Sequence, residues 1–289
     1  MAGASVLYGV AGLKTHAKAC LVVRNEPEGI KRYVHLSTGN YNEKTAALYS
    51  DIGFFTSDEG FANDLSAFFN MITGFSQPIA WTKIEVAPYG LRRTFLRLIR
   101  REILKNTKEK PGLILAKMNS LVDQEIIDAL YQASKAGVQV KLNVRGICCL
   151  RPGMKNFSEN IEVVSLVDMF LEHSRMFYFA NGGDDELYLS SADWMPRNLD
   201  GRIEIMFPVD NREMKRELTE ILKCYFKDNI KSWKLLPDGS YQKLQHESEK
   251  KFRAQDFLCK RFSEKAVSFL KTVPRELKPQ RPKFNPRES

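Results

Sequence analysis

The chain has 289 residues, 43% of them hydrophobic and 27% charged, and a formal net charge of +9. That length suits about two domains, and the composition is that of a globular chain with ample core material, which excludes a fibrous or wholly disordered protein. No apolar run is long enough to span a bilayer, and Ala2–Val10 lack the basic flank of a signal peptide. The positive charge favours a polyanionic partner: nucleic acid, nucleotide, polyphosphate or a membrane surface. Cys20, Cys148, Cys149, Cys224 and Cys259 show neither metal-ligand spacing nor a paired framework, which points to a reduced, cytoplasmic protein.

In chain order, Ala4–Gly9 reads as a strand with nothing before it to cover it. His16-Ala17-Lys18 opens the alternating run Ala17–Val23, a second strand. Residues i and i+2 of a strand share a face, so His16 and Lys18 are expected to project together, a nucleophile or base beside a fixed cation. Arg32–Leu36, carrying His35, leads into Ser37-Thr38-Gly39-Asn40. That polar turn can offer hydroxyl, amide and N–H donors to an anion. Tyr49 follows; its ring suits a base stack or phosphate contact, or simple half-buried packing. Ile52–Thr56 reads as a strand and Asp58 as the N-cap of a helix reaching Thr73, with Phe61, Leu65, Phe68, Phe69 and Ile72 as its core stripe. The break at Gly74–Pro78 places a domain boundary near residue 80.

Strands and helices then alternate: Lys83–Ala87, Leu91–Lys105, Leu113–Lys117, Asp123–Ala136, Val138–Val144 and Ile161–Leu166. This order implies a sheet with parallel pairs and helices on both faces. Sites in such sheets lie beyond the carboxyl ends of strands, where Lys117-Met118-Asn119 and Arg145-Gly146 fall. Arg145 is a candidate phosphate clamp. Most of Arg92, Arg93, Arg97, Arg100 and Arg101 read as a solvated helix face.

The opening pattern then returns. His173-Ser174-Arg175 precedes the apolar run Met176–Ala180, a turn at Asn181–Asp184 and a strand, Glu186–Leu189, ending in Ser190-Ser191-Ala192-Asp193. A strand (Arg202–Phe207), Asp210 as N-cap and a helix (Arg212–Lys227) complete the second copy. Two copies, each presenting a histidine and a cation, suggest one shared site. A turn at Pro237–Ser240, a polar stretch around His246 and a helix from Ala254 to Lys271 precede Pro274–Ser289, which is proline-rich, basic and expected to be disordered.

A neutral histidine can attack phosphorus while a neighbouring cation offsets charge on the transferring group. A second histidine, if protonated, can donate to the leaving oxygen. Asn40, Ser37 and Thr38 can orient an imidazole or bind phosphate. There is no P-loop and no kinase glycine-rich loop. No acidic set forms a metal cage, so magnesium is expected to ride on substrate phosphates.

The doubled H-x-[K/R] arrangement resembles the phospholipase D superfamily. Within it, GLKTHAKACLVVR, RYVHLSTGNYNEKTAALYSDIGFFTSD, LAKMNSLVDQEIIDALYQASKAGVQVKLNVRGICCLRP, FLEHSR and NGGDDELYLSSADWMPRNLDGRIE resemble the C-terminal region of the bacterial, histidine-dependent polyphosphate kinases. The resemblance runs from Gly9 to about Tyr241. It implies an α/β fold of two phospholipase D-like domains, with mixed sheets flanked by helices, the first one incomplete. Residues 1–80 would be the end of the first domain, 81–241 the second, and 242–289 a basic tail. It also implies reversible transfer of the terminal phosphate of ATP to polyphosphate through a phosphohistidine at His16. His173 would assist, with Lys18 and Arg175 as the paired cations, and Tyr49 and Arg145 would contact the nucleotide. His35 matches another family histidine that either supports the site or packs, and Ser191 is a further supporting candidate.

The family carries an N-terminal domain, a helical domain and the start of the first catalytic domain ahead of these blocks. The expectation is therefore a chain that self-associates through an open sheet edge or is completed by a further segment. Two other classes remain open: a phospholipase D-like phosphodiesterase, and a polyanion-binding fragment without turnover. Association with a membrane surface is also compatible with the charge, while no sequence-specific nucleic-acid motif is present.

Overall fold

A computed structural model describes residues 3–74, 76, 80–244 and 250–272. The expected break at Gly74–Pro78, His246 and the segment from Pro274 lie partly or wholly outside the described residues. The chain divides into two units, Met1–Ala254 and Gln255–Ser289.

The first stretch contains β1 (Lys14–Thr15), β2 (Ala19–Glu26), β3 (Gly29–Ser37), α1 (Glu43–Ala46), β4 (Tyr49–Ser50), β5 (Gly53–Thr56) and α2 (Glu59–Gly74). β2, β3 and β5 make an antiparallel sheet. Its alternation buries Val34 and Leu36, and Phe54 packs on Phe61 of α2. The opposite face leaves Val22, Tyr33 and Phe55 exposed, and β2 is an edge strand. The side chain of Asp58 caps α2 by accepting the N–H of Phe61 at 3.2 Å.

The second stretch runs β6 (Glu85–Ala87), α3 (Leu91–Lys105), β7 (Leu113–Met118), α4 (Gln124–Lys135), β8 (Gln139–Val144), β9 (Ile161–Leu166), β10 (Leu171–Glu172) and β11 (Arg175–Phe179). Then come β12 (Glu186–Ser190), α5 (Pro196–Leu199), β13 (Arg202–Pro208), α6 (Arg212–Tyr225), β14 (Ser232–Leu235), β15 (Tyr241–Lys243) and α7 (Ala254–Thr272). Among the described residues ten strands form one mixed sheet in the order β1-β13-β12-β11-β7-β8-β9-β14-β15, with β6 also on β13. β7, β8 and β9 are parallel, as the alternating helices require. Ile114, Ala116 and Met118 face the core built with Leu91, Phe95 and Leu98 of α3 and Ile126 and Leu130 of α4. Lys117, one residue out of phase, lies under the Tyr225 ring of α6 on the other face.

Two short parallel pairings join the stretches. β1 lies on β13, Thr15 opposite Ile203, and β10 lies on β4, Glu172 opposite Ser50. Each residue that follows these partners carries chemistry: His16 and Glu204, His173 and Asp51.

Several expectations are corrected. Ala4–Gly9 is not a strand. Among the described residues no strand lies beside it, so its apolar alternation has no ladder to join, and Val6, Leu7 and Tyr8 are exposed. The histidine motif sits in the link between β1 and β2 rather than inside a strand. Asn211, not Asp210, caps α6, accepting the N–H groups of Glu213 and Met214 at 3.0 Å. Asp210 instead takes the Lys83 ammonium at 2.6 Å. The expectation that most of the five arginines of α3 form a solvated face holds: Arg93, Arg97 and Arg100 are exposed, while Arg92 is held by Asp123 and Asp200 and Arg101 by Glu186.

Asp64 of α2 is 4% exposed and accepts the backbone N–H groups of Thr82, Lys83 and Ile84 at 2.9, 2.6 and 3.0 Å. It ties α2 to the start of the second stretch. Asp64→Ala leaves those donors unpaired and should cost about 2–4 kcal/mol. Urea unfolding checks this; an unchanged midpoint would show that the tie is dispensable.

Candidate active site

The two histidines are seated by the same backbone pattern. The N–H groups of His16 and Ala17 both donate to Ile203 O at 2.9 Å, and those of His173 and Ser174 to Ser50 O at 3.1 and 3.0 Å. The serine-rich turns repeat in the same way. Gly39 N donates to Ser37 Oγ and Ala192 N to Ser190 Oγ, each at 3.0 Å. Thr38 Oγ1 accepts from Ile52 N at 3.0 Å, and Ser191 Oγ from Ile205 N at 3.1 Å. Two copies of one motif thus face each other, and the site lies along their junction.

Each copy supplies a carboxylate to the histidine of the other. His16 Nδ1 is 2.9 Å from Glu204 Oε2, and His173 Nδ1 is 2.9 Å from Asp51. Glu204 is fully buried. It also accepts the Ser191 hydroxyl and, at 2.6 Å, the Asn198 amide. A carboxylate so placed takes donors only, which puts the His16 proton on Nδ1 and leaves the Nε2 lone pair free. Asp51 likewise accepts the Thr38 hydroxyl at 2.8 Å. Gly39 is needed beside it: a Cβ there would stand 2.2 Å from Asp51 Oδ2.

The cations sit beneath. The Lys18 amine is buried and donates to the carbonyl of His16. Burial, with Arg175 adding to it, lowers its pKa to about 8 against the pull of Glu204 and Asp51. Arg175 holds both oxygens of Asp193 at 3.1 Å and donates to the carbonyls of His173 and Thr38 at 2.8 and 3.3 Å. Burial pushes the Asp193 carboxyl up, but Arg175 and Asn119 outweigh it and hold the group below the usual carboxylate range. Burial also lowers the His173 imidazole, with Arg175 adding to the effect and the Asp51 hydrogen bond opposing it.

Tyr49 lies against His173, ring centroids 5.0 Å apart. The Arg145 guanidinium lies near Tyr49 and close enough to Asp193 and Arg175 to feel their charges. Lys117, fully buried, donates to the hydroxyl and carbonyl of Ser174 at 2.8 and 3.2 Å and pairs with Glu172 at 3.2 Å. Both residues flanking His173 are therefore gripped from β7.

Of the residues singled out from sequence, His16, Lys18, His173, Arg175, Tyr49, Arg145 and Ser191 converge here. Asn40 is exposed at the place where the other copy has Asp193. His35 lies elsewhere, on the outer face of the small sheet, against Tyr41 and Phe55. Sequence reasoning missed Glu204 and Asp51. The signal was there: each stands eleven residues after the last residue of its serine-rich turn, Asp193 or Asn40.

Residues 84–255 match the family model described as polyphosphate kinase C-terminal domain 2, and residues 1–78 that of C-terminal domain 1. The polyphosphate kinase of Rhodopirellula baltica is 54% identical over 258 residues, 89% of this chain and 30% of that protein. Polyphosphate kinase 1 of Chlorobaculum tepidum is 48% identical over 269 residues, 93% of this chain and 38% of that protein. The crystal structure of the Porphyromonas gingivalis polyphosphate kinase superposes with a TM-score of 0.83 at 41% identity, covering 89% of this chain and 40% of that one. The chain thus spans about a third of the length of the curated relatives it matches. With two family models accounting for nearly the whole of Met1–Gln255 and the doubled histidine motif inside them, the chain belongs to the polyphosphate kinase family.

Proposed function

We propose that this chain is the C-terminal catalytic region of a cytoplasmic polyphosphate kinase, built of two catalytic domains meeting near residue 80. It would transfer the terminal phosphate of ATP reversibly to polyphosphate through a phosphohistidine at His16. One observation carries the reading: His16 is fixed through Nδ1 by the buried Glu204, which leaves Nε2 as the oriented ring nitrogen able to attack.

In the forward half-reaction His16 Nε2 attacks the γ-phosphorus. The new N–P bond forms as the bond to the β-phosphate bridging oxygen breaks, and that electron pair leaves with ADP. Glu204 stabilises the imidazolium that results, while Lys18 and Arg175 offset charge on the phosphoryl oxygens. In the second half-reaction a terminal oxygen of polyphosphate attacks the phosphorus, the N–P bond breaks and its pair returns to Nε2. His173, oriented by Asp51, assists in the first half-reaction by donating, when protonated, to the bridging oxygen that leaves with ADP. Tyr49 and Arg145 would hold the nucleotide. Among the described residues no cluster of His, Cys, Asp or Glu could hold a metal, and magnesium would enter with the ATP substrate.

Incubation with γ-labelled ATP should give an acid-labile, base-stable phosphoprotein; no label would favour a polyanion-binding role without turnover. His16→Ala should abolish labelling. His173→Ala should leave labelling slower by about 10²–10⁴-fold. Glu204→Gln should slow it on the order of 10²-fold or more, because the imidazole loses its fixed tautomer. Labelling of Glu204→Gln at the wild-type rate would remove the orienting role.

The Lys18 ammonium is present below about pH 8 and lost above it. The rate of labelling at subsaturating ATP should therefore fall as pH rises through about 8. Lys18→Arg should move that limb upward, since a guanidinium keeps its charge. A limb that stays in place in Lys18→Arg would assign it to another group.

A further inference from the structure

Arg145 enters the site with one edge already committed. Its Nε and Nη2 both donate to Asn119 Oδ1, at 3.1 and 2.8 Å. The acceptor is an amide that is itself fully engaged: Asn119 Nδ2 donates to His173 O at 3.3 Å and to Asp193 Oδ1 at 3.2 Å. Its backbone N–H donates to Asp193 Oδ1 at 2.8 Å. This pattern fixes the amide orientation, because the flipped amide would aim donors at a guanidinium and an oxygen at two acceptors. The backbone is closed around the same residue. Arg145 N donates to Met118 O at 3.3 Å and Gly146 N to Asn119 O at 2.7 Å. A Cβ at Gly146 would stand 2.9 Å from Asn119 O. Asn119 is 6% exposed, so its side chain is held by the protein while one guanidinium edge is held by it.

We propose that Asn119 is a positioning residue that aims the free Nη1 edge of Arg145 at the phosphates of the nucleotide. The same amide ties that aim to the carbonyl of His173 and to Asp193, the partner of Arg175. This rests on the polyphosphate kinase reading for the identity of the ligand. The physical reason for such a part is entropic. A half-exposed arginine on a loop loses rotamer freedom when it grips a phosphate, and a prior hold on Nε and Nη2 removes most of that cost before the ligand arrives. An amide does this without neutralising the guanidinium, as an aspartate would.

The test is a double-mutant cycle on ATP binding to the full chain by calorimetry. Asn119→Ala should weaken ATP about tenfold. Arg145→Ala should weaken it at least as much, and the double variant should bind no more weakly than Arg145→Ala alone. Multiplying effects, or unchanged binding in Asn119→Ala, would overturn the proposal. Should Asn119→Ala fail to fold, Arg145→Lys decides instead. A lysine keeps the charge but cannot be held at two positions, so it should bind ATP about as weakly as Arg145→Ala; binding near the wild-type level would overturn the proposal. If the wild-type chain binds no ATP, the kinase reading fails, and the hydrogen exchange of Arg145 Nε–H by NMR still decides. It should be slow in the wild type and fast in Asn119→Ala, and fast exchange in the wild type would overturn the hold.

Discussion

Glu204 has no exposure to water, and a buried carboxylate survives only if its oxygens are met by donors. The donors it has are Ser191, Asn198 and His16. Two come from its own copy of the motif and the third from the other copy. His16 is thus oriented by a residue nearly two hundred positions away, and the first motif has an oriented histidine only when β1 lies on β13. The Asp51–His173 pair repeats the arrangement in reverse. Each histidine is completed by the partner copy, which makes the junction of the two copies the site itself.

The two halves of the junction are not equally stiff. His173 is flanked by Glu172 and Ser174, both held by the buried Lys117 ammonium. His16 is flanked by Thr15 and Ala17, which carry no such grip, and it keeps 18% of its side chain exposed. Burying the Lys117–Glu172 pair is costly and is sustained by the further contacts to Ser174 and the Tyr225 ring. Burial first, and then the neighbouring Arg175, bring the Lys18 ammonium down to a pKa of about 8.

Much of this was legible from residues close in sequence. The repeat of histidine, cation and serine-rich turn, the alternating helices and strands of the second stretch, and the convergence of His16, Lys18, His173 and Arg175 follow from local pattern. What failed were partners set by tertiary pairing. Apolar alternation over Ala4–Gly9 looked like a strand, yet a strand exists only beside another. Asp210 and Asn211 both suit a cap, and the choice fell to Asn211 because Lys83 draws Asp210 away. Glu204 lies inside a strand of apolar residues, where a charge looks like an error until the fold shows the histidine that it serves. His35 is the converse: a histidine on β3, the strand that leads into the Ser37-Thr38 turn, yet placed on the outer face of its sheet because strand neighbours alternate.

The central claim is that the Glu204 hydrogen bond reserves Nδ1 of His16 and leaves Nε2 to react. Phosphorus NMR of the chain after incubation with ATP, combined with selective ring labelling of His16, reports which nitrogen carries the phosphate. The account predicts an Nε2–phosphorus bond on His16. Phosphate on Nδ1 of His16, or on His173 or His35, would contradict it.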